Sequence, residues 1–186
     1  LHSEEGWNLA GGVFPGSPFI LHGFGPTLGW ANTTNAPDLL DFYLLTVNPD
    51  NPNQYKFDGA WKDFERNDAT LELRVAGPVT ITVTQPILRS AYGPVIRRPH
   101  GVYAFRYAGH DRVNQVEQYF RQNKARNLEE FLAALKIQAI PSQNFTIADS
   151  TGRIAYVYNG LFPKRDPRFD WTKILPGDTS KTLWTD

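Results

Sequence analysis

Apolar and polar positions alternate most cleanly in the middle of the chain. Leu71, Leu73 and Val75 fall on one side of an extended strand while Glu72 and Arg74 fall on the other. Val79, Ile81 and Val83 alternate with Thr80, Thr82 and Thr84 in the same way, and Gly77-Pro78 turns between the two runs. A period of two with one polar face predicts an antiparallel hairpin over 70–76 and 79–84. Earlier, Phe19-Ile20-Leu21 and Leu28 to Ala31 are short apolar runs bounded by Gly and Pro. They read as buried strands between tight turns, the second near 27–32. A further strand, 41–47, is closed by the turn-forming run Asn48-Pro49-Asp50-Asn51-Pro52-Asn53. Val102 to Tyr107 reads as another.

The period then lengthens. Val113, Val116, Tyr119 and Phe120 recur at helical spacing and predict a helix near 113–123. Asn127, with Glu130 three residues on, has the capping-box pattern that opens a second helix near 128–138. Leu128, Phe131, Leu132 and Leu135 form its apolar stripe and Pro141 stands beyond its end. Strands return at 145–148 and 154–158, with Ser150-Thr151-Gly152 turning between them. The expected class is α+β: mainly antiparallel sheet with a late helical pair. With no repeat and no linker-like stretch in 186 residues, a single domain over 1–186 is expected.

Composition narrows the function classes. Aromatic residues at 13% mark a chain that folds. Nineteen basic residues balance nineteen acidic ones, and the aromatics are not interleaved with a basic stripe, so a nucleic-acid partner is not expected. Cysteine is absent, which excludes thiol catalysis and thiolate metal sites. No apolar run of about 18 residues exists, so no membrane span is expected. Methionine is absent even at position 1, so the chain is expected to start after a cut in a longer precursor.

Candidate chemistry is sparse. His2, His22, His100 and His110 show no metal-ligand or triad spacing, and the glycine-rich opening is not a phosphate-binding loop. Asp38 and Asp41 bracket Leu39-Leu40 before a strand. Two carboxylates three residues apart can face one hard cation with a carbonyl between them, or serve as turn and strand-start chemistry.

Two larger segments carry a resemblance. Phe14-Pro-Gly-Ser-Pro-Phe-Ile-Leu-His22 leads into Gly29-Trp-Ala-Asn-Thr-Thr-Asn35 and then Asp38-Leu-Leu-Asp-Phe-Tyr43. Downstream come Ser90-Ala-Tyr-Gly-Pro94, Lys124-Ala-Arg-Asn127, Asn144-Phe-Thr-Ile-Ala-Asp149, Gly152-Arg-Ile-Ala-Tyr-Val-Tyr158 and Asp166-Pro-Arg168. In order and spacing the chain resembles the penicillin acylase (penicillin amidase) family of N-terminal-nucleophile hydrolases, as an internal stretch of the large chain. The resemblance implies part of an αββα sandwich and an enzyme that cleaves linear amides: a β-lactam side chain, an acyl-homoserine lactone or another acylated amine. The serine nucleophile of the family opens the large chain after self-cleavage of a zymogen, so this stretch alone is expected to be inactive.

Site residues follow from the same resemblance. Thr34 matches the position whose backbone N–H stabilises the oxyanion. His22, Asn32 and Tyr119 match positions lining the acyl pocket, as does Gln143 across a one-residue insertion. Asp38, the Leu40 carbonyl, Asp41 and the Pro167 carbonyl match the ligands of a structural calcium found in some members, whose further glutamate belongs to the small chain. No organic cofactor is implied. The implied partners are the rest of the large chain, the small chain and a small-molecule amide, in a periplasmic or secreted enzyme involved in antibiotic biosynthesis or degradation. The chain departs from many members at Phe24-Gly25, where they carry His-Asn. A non-catalytic β-rich carbohydrate-binding module is the alternative that composition admits, but it leaves the ordered motifs unexplained.

Overall fold

The computed structural model describes residues 1–4 and 6–185. In chain order the strands are β1 (Ala10–Gly12), β2 (His22–Phe24), β3 (Leu28–Thr34), β4 (Leu40–Leu45), β5 (Gln54–Phe57), β6 (Ala60–Asp63), β7 (Glu65–Ala76), β8 (Val79–Ser90), β9 (Gly93–Arg98) and β10 (Gly101–Tyr107). Helices α1 (Gln115–Lys124) and α2 (Leu128–Leu135) precede β11 (Ser142–Asp149), β12 (Ile154–Gly160) and the short β13 (Leu175–Pro176). The expected α+β class, antiparallel sheet with a late helical pair, is what the chain adopts.

The chain divides into two compact units: Leu1–Leu39 with Ala108–Phe162, and Leu40–Tyr107 with Pro163–Asp186. No boundary carries linker composition, because the chain passes between units within ordered segments, one of them at the start of β4.

In the first unit the sheet order is β1-β2-β3-β11-β12, antiparallel throughout. Its core gathers Ile20, Leu28, Trp30, Phe131, Leu135, Phe145 and Ile147. Helix α2 covers the sheet with its expected apolar stripe, burying Phe131, Ala134 and Leu135. Its cap differs slightly from the sequence pattern. Asn127 Oδ1 accepts from the Glu130 N–H at 2.9 Å, but the Glu130 carboxylate takes the N–H of Arg126. The helix ends at Leu135, before the expected 138, and Gln138 then turns the chain at a φ of 53°.

Helix α1 inverts its sequence pattern. Val113, Val116 and Phe120 are exposed, whereas Gln118, Gln122 and Asn123 are buried. Two of these three side chains, Gln118 and Asn123, serve main chain that has no sheet partner, while Gln122 Nε2 is buried without a hydrogen-bond partner. Gln118 Oε1 accepts from the N–H groups of Ala139 and Ile140, and Asn123 bonds both backbone groups of Ile20. Burying amides there costs less than leaving those backbone groups unpaired. Ile20 and Leu21 are therefore core residues of a pinned loop and not the strand expected for 19–21, the strand starting instead at His22.

In the second unit the order is β13-β4-β10-β9-β8-β7, with β5 and β6 as a separate hairpin and β13 parallel to β4. Its core is aromatic: Tyr43, Tyr55, Phe64 and Tyr92 with Leu45, Ala104 and Leu175. The expected hairpin is present and longer than the alternation suggested, since β7 and β8 pair from Glu65 with Arg89 to Ala76 with Val79. Both of its faces are exposed near the turn, including Leu71, Leu73 and Ile81.

Candidate active site

Strand β3 brings Asn32 and Thr34 onto the face that carries Trp30, because side chains two apart share a side. The antiparallel partner β11 sets Ile147 opposite Trp30, Phe145 opposite Asn32 and Gln143 opposite Thr34. One face of this pair thus runs from buried apolar residues to a polar, solvent-facing end. At that end Asn32 Nδ2 donates to Gln143 Oε1 at 2.9 Å, joining residues 111 apart in sequence.

His22 enters from β2, opposite Gly12 of β1. The ring occupies space that a side chain at position 12 would need: a Cβ on Gly12 would stand 2.6 Å from His22 Nε2. His22, Asn32, Thr34 and Gln143 line one cleft of about 280 Å³, walled on its apolar side by Val13, Phe14 and Leu21. The apolar wall is held in place from behind. Trp30 Nε1 donates to the Leu21 carbonyl at 2.8 Å, and Asn123 fixes Ile20 one residue earlier.

Tyr119 does not line the cleft. Its ring stacks on Phe19 at 6.2 Å between centroids, and the Gln143 side chain lies near its hydroxyl. Burial pushes its ionisation upward, and the nearby Gln143 amide offsets part of that. The hydroxyl is thus neutral at physiological pH.

Thr34 closes β3 and is exposed. Strand β2 pairs with β3 only at Gly29 and Trp30, so among the described residues the edge of Ala31–Thr34 facing away from β11 has no partner strand. Backbone N–H groups alternate between the two edges of a strand, so some in this stretch point away from the sheet. Beyond it, Asn35 Nδ2 donates to the Asn159 carbonyl at 2.8 Å, and Asn159 Nδ2 to the Ile140 carbonyl at 2.6 Å. Those two buried asparagines tie the end of β3 to β12. Their only signal in the sequence is that they are amides beside apolar strand positions.

The four residues expected at a calcium ion are divided between the units. Asp38 is exposed and belongs to the first, while Leu40, Asp41 and Pro167 belong to the second. Asp41 is buried and its carboxylate is bound by Arg165 and Trp184. Both partners lie more than 100 residues downstream and neither carried a signal in the sequence. Burial, and secondarily the charge of Asp41, push the ionisation of nearby Tyr43 well above the usual phenol range.

A family model described as penicillin amidase matches residues 1–186, the whole chain. The acyl-homoserine lactone acylase PvdQ of Pseudomonas fluorescens strain Pf0-1 is 25% identical over 95% of this chain and 25% of its own length. Penicillin G acylase of Escherichia coli is 25% identical over 99% of this chain and 23% of its own. A solved structure, thermostable penicillin G acylase from Alcaligenes faecalis in an orthorhombic form, superposes with a TM-score of 0.85. It is 27% identical and the match covers 99% of this chain and 33% of that one. The chain spans about a quarter of the length of the curated relatives it matches.

Proposed function

This chain belongs to the penicillin amidase family, and we propose that it supplies the acyl pocket and an oxyanion donor of an amide hydrolase whose serine nucleophile lies on another segment of the precursor. The observation that carries this reading is the cleft that brings His22, Asn32, Thr34 and Gln143 together, with Asn32 and Gln143 bonded across two strands. In the proposed reaction the serine hydroxyl attacks the amide carbonyl. The developing oxyanion accepts a hydrogen bond from the Thr34 backbone N–H at the open edge of β3, the amine leaves with a proton, and water then hydrolyses the acyl-enzyme. A rigid strand end suits this task, because the donor is fixed before charge develops.

The acyl group lies against Val13, Phe14 and Leu21, while His22, Asn32 and Gln143 give the pocket a polar side. The substrate is an acylated amine, of the kind represented by a β-lactam side chain or an acyl-homoserine lactone. The complete enzyme is formed with the rest of the large chain and a small chain from one zymogen, and it acts in the periplasm or outside the cell. Among the described residues no helix is long and apolar enough to cross a membrane. This stretch alone does not turn over amides.

The test is steady-state hydrolysis of a series of acyl-anilides by the complete enzyme and its Gln143→Leu form. Losing the Asn32 bond removes an interaction of about 1 kcal/mol, so KM should rise about five-fold for polar acyl groups, with kcat little changed. Identical KM values across the series, or turnover by the isolated 186-residue stretch, would refute the assignment.

A further inference from the structure

Asp41 sits on the inward face of β4 with Tyr43 and Leu45, where alternation places it out of water; its side chain is 1% exposed. A carboxylate buried there requires a counter-charge and donors for both oxygens. The C-terminal segment of the same unit provides them. Arg165 Nε donates to Oδ2 at 2.9 Å and Nη2 to Oδ1 at 3.2 Å, and the Trp184 indole N–H donates to Oδ2 at 2.5 Å. The guanidinium is itself held between aromatic rings, 5.6 Å from the centre of Trp171 and 6.0 Å from that of Trp184.

This arrangement does not fit a calcium ion at Asp41. Calcium takes six to eight oxygens at about 2.3–2.6 Å. Oδ2 already accepts two hydrogen bonds, which uses its lone pairs, and the planar guanidinium lies across the carboxylate where a cation would coordinate. A dication brought to the same carboxylate would also be repelled by the arginine. Among the described residues no group of three or more His, Cys, Asp and Glu is placed to hold a metal ion.

We infer that Arg165 is the resident cation of Asp41, and that this chain replaces a structural metal at the start of β4 with an internal bidentate ion pair clasped by two tryptophans. The inference concerns stability and stands apart from the hydrolytic reading, so either can fail without the other. It is tested on the purified full chain by thermal melting in EDTA and in millimolar calcium chloride, and by terbium luminescence excited through the tryptophans. The melting temperature should be the same in both buffers, and terbium should give no saturable signal. Arg165→Gln, which leaves the buried carboxylate without its counter-charge, should lower the melting temperature by about 10 °C. A saturable calcium-dependent rise that Asp41→Asn abolishes would overturn the inference, as would an Arg165→Gln protein that melts with the wild type. Should Arg165→Gln fail to fold, the wild-type calcium and terbium titrations decide the matter alone.

Discussion

Replacing Asn123 with leucine tests whether the buried amides of α1 hold the loop that leads into the cleft. Asn123 is 4% exposed, and it accepts from the Ile20 N–H at 2.8 Å and donates to the Ile20 carbonyl at 2.9 Å. Ile20 lies outside every strand, so neither group has a ladder partner to fall back on. Leucine keeps the branched outline of asparagine but is larger and returns no hydrogen bond, and it leaves two buried backbone groups unsatisfied. At about 1–3 kcal/mol for each, the cost is about 2–6 kcal/mol, less whatever the added apolar surface recovers. For a chain of this length that corresponds to a fall in melting temperature of about 5–15 °C. The control is Val116→Ala on the same helix, where the side chain is 67% exposed and the expected change is within about 0.5 kcal/mol. Both variants are followed by circular dichroism on heating and by urea unfolding, with the slope of the urea transition reporting whether two-state behaviour is kept. If Val116→Ala proves as costly as Asn123→Leu, α1 faces the core with its apolar stripe and the argument for its inversion is wrong.

Two pH predictions follow from individual sites. Hydrogen bonds from the Arg168 side chain, and then from its backbone N–H, hold the Asp166 carboxyl down to about 2. Its contribution to stability is therefore complete above its ordinary value of 3.8 and is lost as pH falls through about 2; a carbon-13 titration of Asp166 with a midpoint near 3.8 would contradict the contact. Tyr43, Tyr55, Tyr92 and Tyr119 are all pushed upward, chiefly by burial. Raised values favour the folded state below pH 10 and oppose it as pH rises further, so these four of the eight tyrosines should ionise only as the protein unfolds. Absorbance and circular dichroism recorded together check this, and full ionisation of a still-folded chain would count against it.

Much of the fold was legible because its signals are local. The alternation in 70–84 requires a hairpin whatever surrounds it, and Asn127 with Glu130 starts a helix whose stripe then has only one apolar side to bury. The site was legible only in part. The segments holding His22, Asn32 and Thr34 could be recognised, but not that Asn32 would bond Gln143, 111 residues away, or that Tyr119 would not line the cleft.

Taken by itself, then, the sequence determined the longer strands and both helices, the α+β class and the family motifs, since periodicity and turn chemistry act over a few residues. Tertiary structure decided which faces are buried and which charges meet. Helix α1 hides amides and exposes Val116 and Phe120 because an unladdered loop at Ile20 and another at Ala139 need hydrogen-bond partners. Apolar spacing carries no record of that need. Asp41 likewise bears no mark in the sequence of Arg165 and Trp184, which only the fold sets against it. A buried carboxylate must be neutralised by something, and the identity of its partner depends on which distant segment the fold brings within about 3 Å.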